Sequence, residues 1–261
     1  GIVAFAQLIV GSVRGGLAYV NILANMLLAG VSGSAVADAA AIGPILIPTM
    51  EKDGYPRLFA TALTASSAIM GPIIPPSLIA IIYASTVSGV SVASLFAAGI
   101  IPGALIALAL AAMVFILGRR HNFPTSRTQP LTFRYAMRVC WIALPSLAMP
   151  GIILGGIMGG ICTATEAGAI AIIYAVLLVV FREHNLSWKD IPGIMMETAT
   201  ITAVVYLLIG ASMILQWVIG KEHIAEVIAS CLTDITSSRY VMLGIIALVT
   251  LVVGMVLDTS P

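Results

Sequence analysis

Long apolar runs, separated by short polar connections, dominate the sequence. No Lys, Arg, Asp or Glu occurs from Leu58 to Gly118, a stretch of 61 positions, and further charge-free runs cover 139–165, 198–220 and 240–257. A membrane-spanning helix needs roughly 20 apolar residues, so the pattern predicts an all-α protein that crosses a membrane several times. The predicted runs are Leu17–Pro48, Leu58–Ser85, Leu95–Gly118, Val139–Gly160, Ala164–Phe181, Ile191–Ile219 and Tyr240–Leu257, with a short amphipathic piece at Ile224–Leu232.

Glycine, serine and proline interrupt several of these runs. The first run contains Gly30–Ser34 and then Gly43-Pro44, and the second contains three prolines within 71–76. The sixth run is predicted to break near Gly210, Ala211 and Ser212, and again at Gly220. A broken helix at membrane depth must be buried in protein or line a water-filled cavity. The breaks are therefore the candidate functional positions.

The first two breaks offer neutral oxygen atoms. Ser32 and Ser34 supply hydroxyls, and the glycines around them let the chain leave helical geometry and free its carbonyls. The prolines at 72, 75 and 76 remove backbone donors and leave upstream carbonyls unpaired. Sodium binds such oxygens, and broken transporter helices use them in this way. Asp38, one turn after Ser34, adds a charge or fixes the helix start; simple structural kinks remain an alternative for both breaks.

Composition and charge exclude several classes of function. Hydrophobic residues make up 60% of the chain and charged residues 9%, with 12 basic and 11 acidic side chains, so no basic face for nucleic acid is expected. Five arginines and no acid occur in 119–138, which predicts a cytoplasmic loop. We find no P-loop, GxSxG or HExxH motif. No cofactor and no transition-metal site is expected, and the three cysteines are expected to be packing residues.

Two further predictions concern the residues around Thr163 and the two ends of the chain. Thr163 and Glu166 have the spacing of a cap at the start of a helix, with the acid in the first turn. The sequence starts at Gly1 without a signal segment, and its last residues, 257–261, follow an apolar run and stop without a polar tail. We therefore expect a piece of a longer protein.

An ordered series of motifs extends over nearly the whole chain. It resembles the large membrane subunit of the tripartite ATP-independent periplasmic (TRAP) transporters. The motifs are Arg14–Asn21 (RGGLAYVN), Gly33–Gly43 (GSAVADAAAIG), Gly54-Tyr55, Gly71–Ser77 (GPIIPPS), Ala98–Gly103 (AGIIPG), Thr165–Ala169 (TEAGA) and Gly254-Met255.

The resemblance implies an elevator-type transporter built from broken helices and helical hairpins in inverted repeats, incomplete in this chain. Residues 1–90 would be part of the transport domain, 91–192 connecting and scaffold helices, and 193–261 the start of the second repeat. The family imports organic acids such as dicarboxylates or sialic acid across the bacterial inner membrane, with sodium as coupling ion. Its partners are a small membrane subunit and a periplasmic substrate-binding protein.

The resemblance also assigns site residues. A first sodium site corresponds to Ser32, Ser34, Gly71, Ile74 and Pro75. Gly254, with Asp258 beside it, corresponds to one wall of a second sodium site. Gly210, Ala211 and Ser212 belong to a hairpin, Gly210–Ile224, whose tip faces the substrate.

Two alternatives to a sodium-coupled transporter subunit remain open at this point. The first is an intramembrane aspartyl enzyme that uses Asp38 and Asp258 as a paired acid and base. The second is a passive channel or scaffold subunit. It accounts for the hydrophobicity but leaves the two helix breaks unexplained.

Overall fold

The computed structural model describes residues 2–87, 89–120, 123, 133–183, 187, 189–236 and 238–255, and these residues form helices and turns. Eleven α-helices occur in this part of the chain. They are α1 Ile2–Val10, α2 Gly16–Ser32, α3 Ala35–Lys52, α4 Arg57–Ala68, α5 Leu78–Thr86, α6 Val92–Arg120, α7 Phe133–Met158, α8 Ala164–Leu178, α9 Ile191–Lys221, α10 Ile224–Ile235 and α11 Arg239–Gly254, with a π-helical turn, Val179–Glu183, directly after α8.

Four helical segments of the described chain are long and apolar enough to cross a membrane. They are Val92–Arg120, Arg134–Met158, Ala164–Phe181 and Ile191–Lys221, and α2 and α11 are shorter apolar helices. The prediction of an all-α polytopic membrane protein is confirmed.

The chain divides into two compact units, Gly1–Asn185 and Leu186–Pro261. In the first unit, α2 packs against α1, α3 and α4, and α7 packs against α8 and α1. One apolar core combines residues of α2, α4 and α6 with the aromatic rings of Tyr55 and Phe123, whose centroids are 4.7 Å apart. A second core joins α5–α8 around the buried Phe96. The hydroxyl of Tyr174 on α8 donates to the carbonyl of Pro145 on α7 over 2.8 Å.

The start of α8 confirms the predicted cap. The Thr163 hydroxyl accepts a hydrogen bond from the Glu166 backbone N–H, and a Glu166 carboxylate oxygen accepts from the Thr163 N–H at 2.8 Å. The two side chains thereby satisfy backbone groups that have no partner inside the helix.

The second unit contains α9, α10 and α11. The turn between α9 and α10 places His223 in the left-handed region, with φ 53°, and its Nδ1 lies 2.9 Å from a Glu226 carboxylate oxygen. α10 covers the predicted amphipathic piece at Ile224–Leu232.

Two predicted interruptions are wrong. Gly43 and Pro44 lie inside α3, and Gly210, Ala211 and Ser212 lie inside the continuous helix α9, which ends only at Lys221, next to the predicted break at Gly220. A single glycine costs a helix about 1 kcal/mol. An unpaired backbone group in hydrocarbon costs several kcal/mol, so the helix continues.

Some of the predictions concern residues outside the part of the chain that the structure describes. These are positions 121–122 and 124–132 of the predicted cytoplasmic loop, Asp258, and the side chain of Cys231.

Candidate functional site

The first helix break lies between α2 and α3. α2 ends at Ser32, and Gly33 adopts φ 62°, a left-handed conformation that glycine reaches without steric cost. Its N–H donates to the Ala29 carbonyl at 3.2 Å. Ser34 is extended, and its hydroxyl accepts from the Ala37 N–H at 3.5 Å as the cap of α3. The predicted break at Gly30–Ser34 is therefore confirmed, and it is only two residues long.

The second helix break separates α4 from α5. Residues 69–77 form a series of turns in which the Ile74 N–H donates to the Met70 carbonyl at 2.8 Å. Ser77 ends the break: its hydroxyl donates to the Pro72 carbonyl and accepts from the Ala80 N–H at 3.2 Å. The prolines supply no backbone N–H, so the segment cannot continue either helix. This prediction is also confirmed.

The two breaks lie directly against each other. A β-carbon built on Gly71 would be 2.6 Å from Asp38 Oδ2 and 3.0 Å from the Ser34 carbonyl oxygen. A β-carbon on Gly33 would be 2.9 Å from the Pro76 carbonyl oxygen. Only glycine permits such an approach of backbone to backbone. Residues far apart in sequence thus bring hydroxyl, carbonyl and carboxylate oxygens together.

Asp38 provides the charge at this junction. It is fully buried, and the Ser32 hydroxyl donates to its Oδ1. Its Oδ2, the atom next to Gly71, has no hydrogen-bond partner among the described residues. No Lys, Arg or His of the described chain forms an ion pair with it. A buried carboxylate is costly unless it is paired or coordinates a cation, so the site is suited to a positive ion.

The predicted site residues divide into three groups by position. Ser32, Ser34 and Gly71 meet at the junction, and Ile74 and Pro75 lie on the same broken segment. That segment also packs on α6, because a β-carbon on Gly99 would be 2.4 Å from the Ile73 carbonyl oxygen. Gly254 ends α11 in the second unit. Gly210, Ala211 and Ser212 are mid-helix, and their role towards substrate stays a prediction.

A buried polar cluster near the two helix breaks was not predicted from the sequence. Asn21 and Asn25 on α2 contact Thr64 and Ser67 on α4, and all four are buried. The signal in the sequence was two asparagines one helical turn apart within an apolar run, since polar residues at membrane depth are costly and seldom incidental.

Two helix breaks that meet inside an apolar helical chain are a feature of the binding sites of membrane transporters. The sequence matches the family described as "Tripartite ATP-independent periplasmic transporter, DctM component" over residues 1–261. The chain belongs to this family.

The chain is similar to individual proteins over nearly its whole length, and two of the three reported below are named TRAP transporter large permease proteins. The chain is 41% identical over 261 residues to the uncharacterized protein YgiK of Salmonella typhimurium, covering 100% of this chain and 59% of YgiK. It is 33% identical over 259 residues to the C4-dicarboxylate TRAP transporter large permease protein DctM of Pseudomonas aeruginosa, covering 99% and 60%. It is 35% identical over 255 residues to the sialic acid TRAP transporter large permease protein SiaM of Vibrio cholerae, covering 98% and 59%.

The chain thus spans about 60% of the length of these curated relatives. The family is a component of a transporter and not an enzyme. The alternative of an intramembrane aspartyl enzyme with Asp38 and Asp258 is therefore wrong.

Proposed function

We propose that this chain is part of the membrane subunit of a sodium-coupled secondary transporter that imports a small organic anion across the bacterial inner membrane. A periplasmic binding protein delivers the anion, and a small membrane subunit completes the membrane complex. The relatives' names support the substrate class, since C4-dicarboxylates and sialic acid are both carboxylates. The family description supports the tripartite composition and the independence from ATP.

One observation carries the sodium proposal: a buried carboxylate oxygen without a partner faces a glycine at the junction of two helix breaks. Sodium is a hard cation and binds oxygen. In the proposed site, Ser32 and Ser34 contribute hydroxyl or carbonyl oxygens, and Gly71, Ile74 and Pro75 contribute carbonyls. Asp38 compensates the charge of the ion, and its hydrogen bond from Ser32 orients one of the ligands.

The buried charge of Asp38 couples sodium binding to the contact between the two helix breaks. Without a cation, Asp38 is an uncompensated buried charge, which strains the contact between the two breaks. Sodium binding removes that cost and favours the closed junction, and a ligand shifts a conformational equilibrium by such a difference in affinity. The closed junction then moves with the substrate as a rigid body, in an elevator movement. Gly254 and Asp258 belong to a second sodium site, and Gly210–Ser212 face the substrate.

The test measures uptake by the full-length parent of this chain, reconstituted with its small subunit and binding protein. Labelled C4-dicarboxylates and sialic acid are supplied under an inward sodium gradient, and then with potassium in place of sodium. We expect uptake that requires both sodium and the binding protein. Uptake indifferent to sodium would refute the coupling, and uptake without the binding protein would refute the delivery step.

Ser34→Ala tests the site itself. It removes one proposed ligand and the cap of α3, so we expect a higher sodium concentration for half-maximal uptake, by roughly 10-fold. Ser91→Ala is the matched control, because Ser91 is also a serine that caps a helix: its exposed hydroxyl accepts from the Ser94 N–H at 3.4 Å at the start of α6. Equal sodium activation in the two variants would contradict the assignment of Ser34.

A further inference from the structure

A buried polar cluster connects α2 to α4 just before both helix breaks. Its members are two amides on α2, Asn21 and Asn25, and two hydroxyls on α4, Thr64 and Ser67. Each has 2% exposure or less. The surrounding positions of both helices are apolar and form the main core of the first unit.

The cluster forms one connected hydrogen-bond network. The Asn21 amide nitrogen donates to Thr64 Oγ1 at 2.7 Å, and the Asn25 amide nitrogen is 2.7 Å from Asn21 Oδ1 and 3.0 Å from Ser67 Oγ. The two hydroxyls are also tied to their own helix, where Thr64 Oγ1 donates to the Ala60 carbonyl at 2.8 Å. The Asn21 nitrogen is in addition 3.5 Å from the sulfur of Met50 on α3.

Such a network fixes the relative depth of two helices in a way that apolar packing does not. One residue of slip along a helix axis is 1.5 Å. A slip of that size would break the two hydrogen bonds that cross from α2 to α4, at 2.7 and 3.0 Å, and leave the Asn21 amide nitrogen without its oxygen partner in the core. Apolar side chains tolerate a small slip, because dispersion and burial are not directional.

The position of the network relates it to the proposed ion site. Asn25 lies two turns before Ser32 on the same uninterrupted helix, and Ser67 lies one turn before Gly71. Among the described residues, the network therefore contains the last side-chain hydrogen bonds between α2 and α4 before each helix breaks. The depth of one helix against the other sets the spacing of Ser32 and Ser34 from the carbonyls at Gly71.

We propose that Asn21, Asn25, Thr64 and Ser67 are positioning residues of the ion site, which hold the two helix breaks at the spacing that sodium requires. This inference rests on the proposed function, since it assumes that the junction binds sodium. The network contacts neither the ion nor the substrate. It acts through the backbone of α2 and α4.

The test uses Thr64→Val and Thr61→Val in the full-length parent, reconstituted with its small subunit and binding protein. Both variants remove a threonine hydroxyl from α4 with little change in shape. The Thr61 hydroxyl is exposed and donates only to the Arg57 carbonyl, at 2.9 Å. The sodium concentration for half-maximal uptake and the apparent KM for the loaded binding protein are measured for each. Thr64→Ser keeps a hydroxyl at the buried position, and Ser67→Ala is a second probe should Thr64→Val not fold.

We expect Thr64→Val and Ser67→Ala to raise the half-maximal sodium concentration by about 3- to 10-fold, with an unchanged KM for the binding protein. Thr61→Val and Thr64→Ser should resemble the wild type. A lower stability without a change in sodium activation would mean a structural role only and would overturn the inference, as would an equal change in Thr61→Val. A wild type whose uptake ignores sodium would instead overturn the proposed function.

Discussion

Gly71→Ala tests the contact between the two helix breaks with a single added carbon. The new β-carbon would be 2.6 Å from Asp38 Oδ2, 2.9 Å from the Ser34 carbonyl carbon and 3.0 Å from the Ser34 carbonyl oxygen. Two of these atoms are backbone, and the third belongs to a carboxylate that Ser32 holds by a hydrogen bond. None is the free end of a flexible side chain, so the two breaks have to separate.

The size of the effect follows from these distances. An ordinary van der Waals contact begins at 3.4 Å, so the carboxylate oxygen at 2.6 Å has to retreat by roughly 0.8 Å or more, whereas metal–ligand distances tolerate about 0.2 Å. Overpacking of this kind costs about 1–3 kcal/mol. If the bound state bears that cost, sodium affinity falls by about 5- to 150-fold.

The assay is sodium-activated uptake by the reconstituted full-length parent. Gly43→Ala is the matched control, because Gly43 lies on α3 and its added β-carbon would meet only Ile47 Cδ1 at 3.6 Å and Thr64 Cγ2 at 4.0 Å. We expect a raised half-maximal sodium concentration in Gly71→Ala alone. Sodium activation in Gly71→Ala that matches the wild type would refute the reasoning, since the breaks would then not meet at Gly71.

Two further substitutions test the charge at the junction and the cap of α8. Asp38→Asn replaces the buried carboxylate with a neutral amide of similar shape, so sodium should raise the thermal unfolding temperature, relative to choline chloride, by less than it does in the wild type. Glu51→Gln, exposed on the same helix, should keep the sodium effect; a full effect in Asp38→Asn would exclude Asp38 from the site. Thr163→Ala removes the two hydrogen bonds of the Thr163 hydroxyl to Glu166 and should cost about 1 kcal/mol, seen as faster amide exchange in the first turn of α8. Sodium activation should not change, and unchanged exchange would show that the cap contributes nothing.

Local chemistry explains which parts of the fold were predictable. The break at 71–76 follows from its three prolines, the break at Gly33-Ser34 from a glycine followed by a capping serine, and the cap at Thr163 from residues three apart. Glycine and proline did not break the helices at Gly43-Pro44 and at Gly210. In an apolar chain, one such residue inside a helix costs less free energy than leaving backbone groups without hydrogen bonds.

The contacts between elements could not be predicted in this way. The sequence indicated that Ser34 and Gly71 are both at helix breaks, but no periodicity says that the two breaks touch. Asn25 and Ser67 are 42 positions apart, and their hydrogen bond depends on how α2 packs on α4. The sequence indicated that Asp38 is a charge near the first break. Its complete burial and its partnerless oxygen depend on how α2, α3 and the turns after α4 pack together.

Equilibrium binding of radiolabelled sodium to the purified full-length membrane complex tests the central claim most directly. We expect saturable sodium binding in the wild type and in Ser91→Ala, and potassium should not displace the bound sodium. Binding should be weakened in both Ser34→Ala and Gly71→Ala, because each affects one side of the same junction. Absence of saturable sodium binding, or equal affinity in all four proteins, would contradict the claim that the two helix breaks form one sodium site.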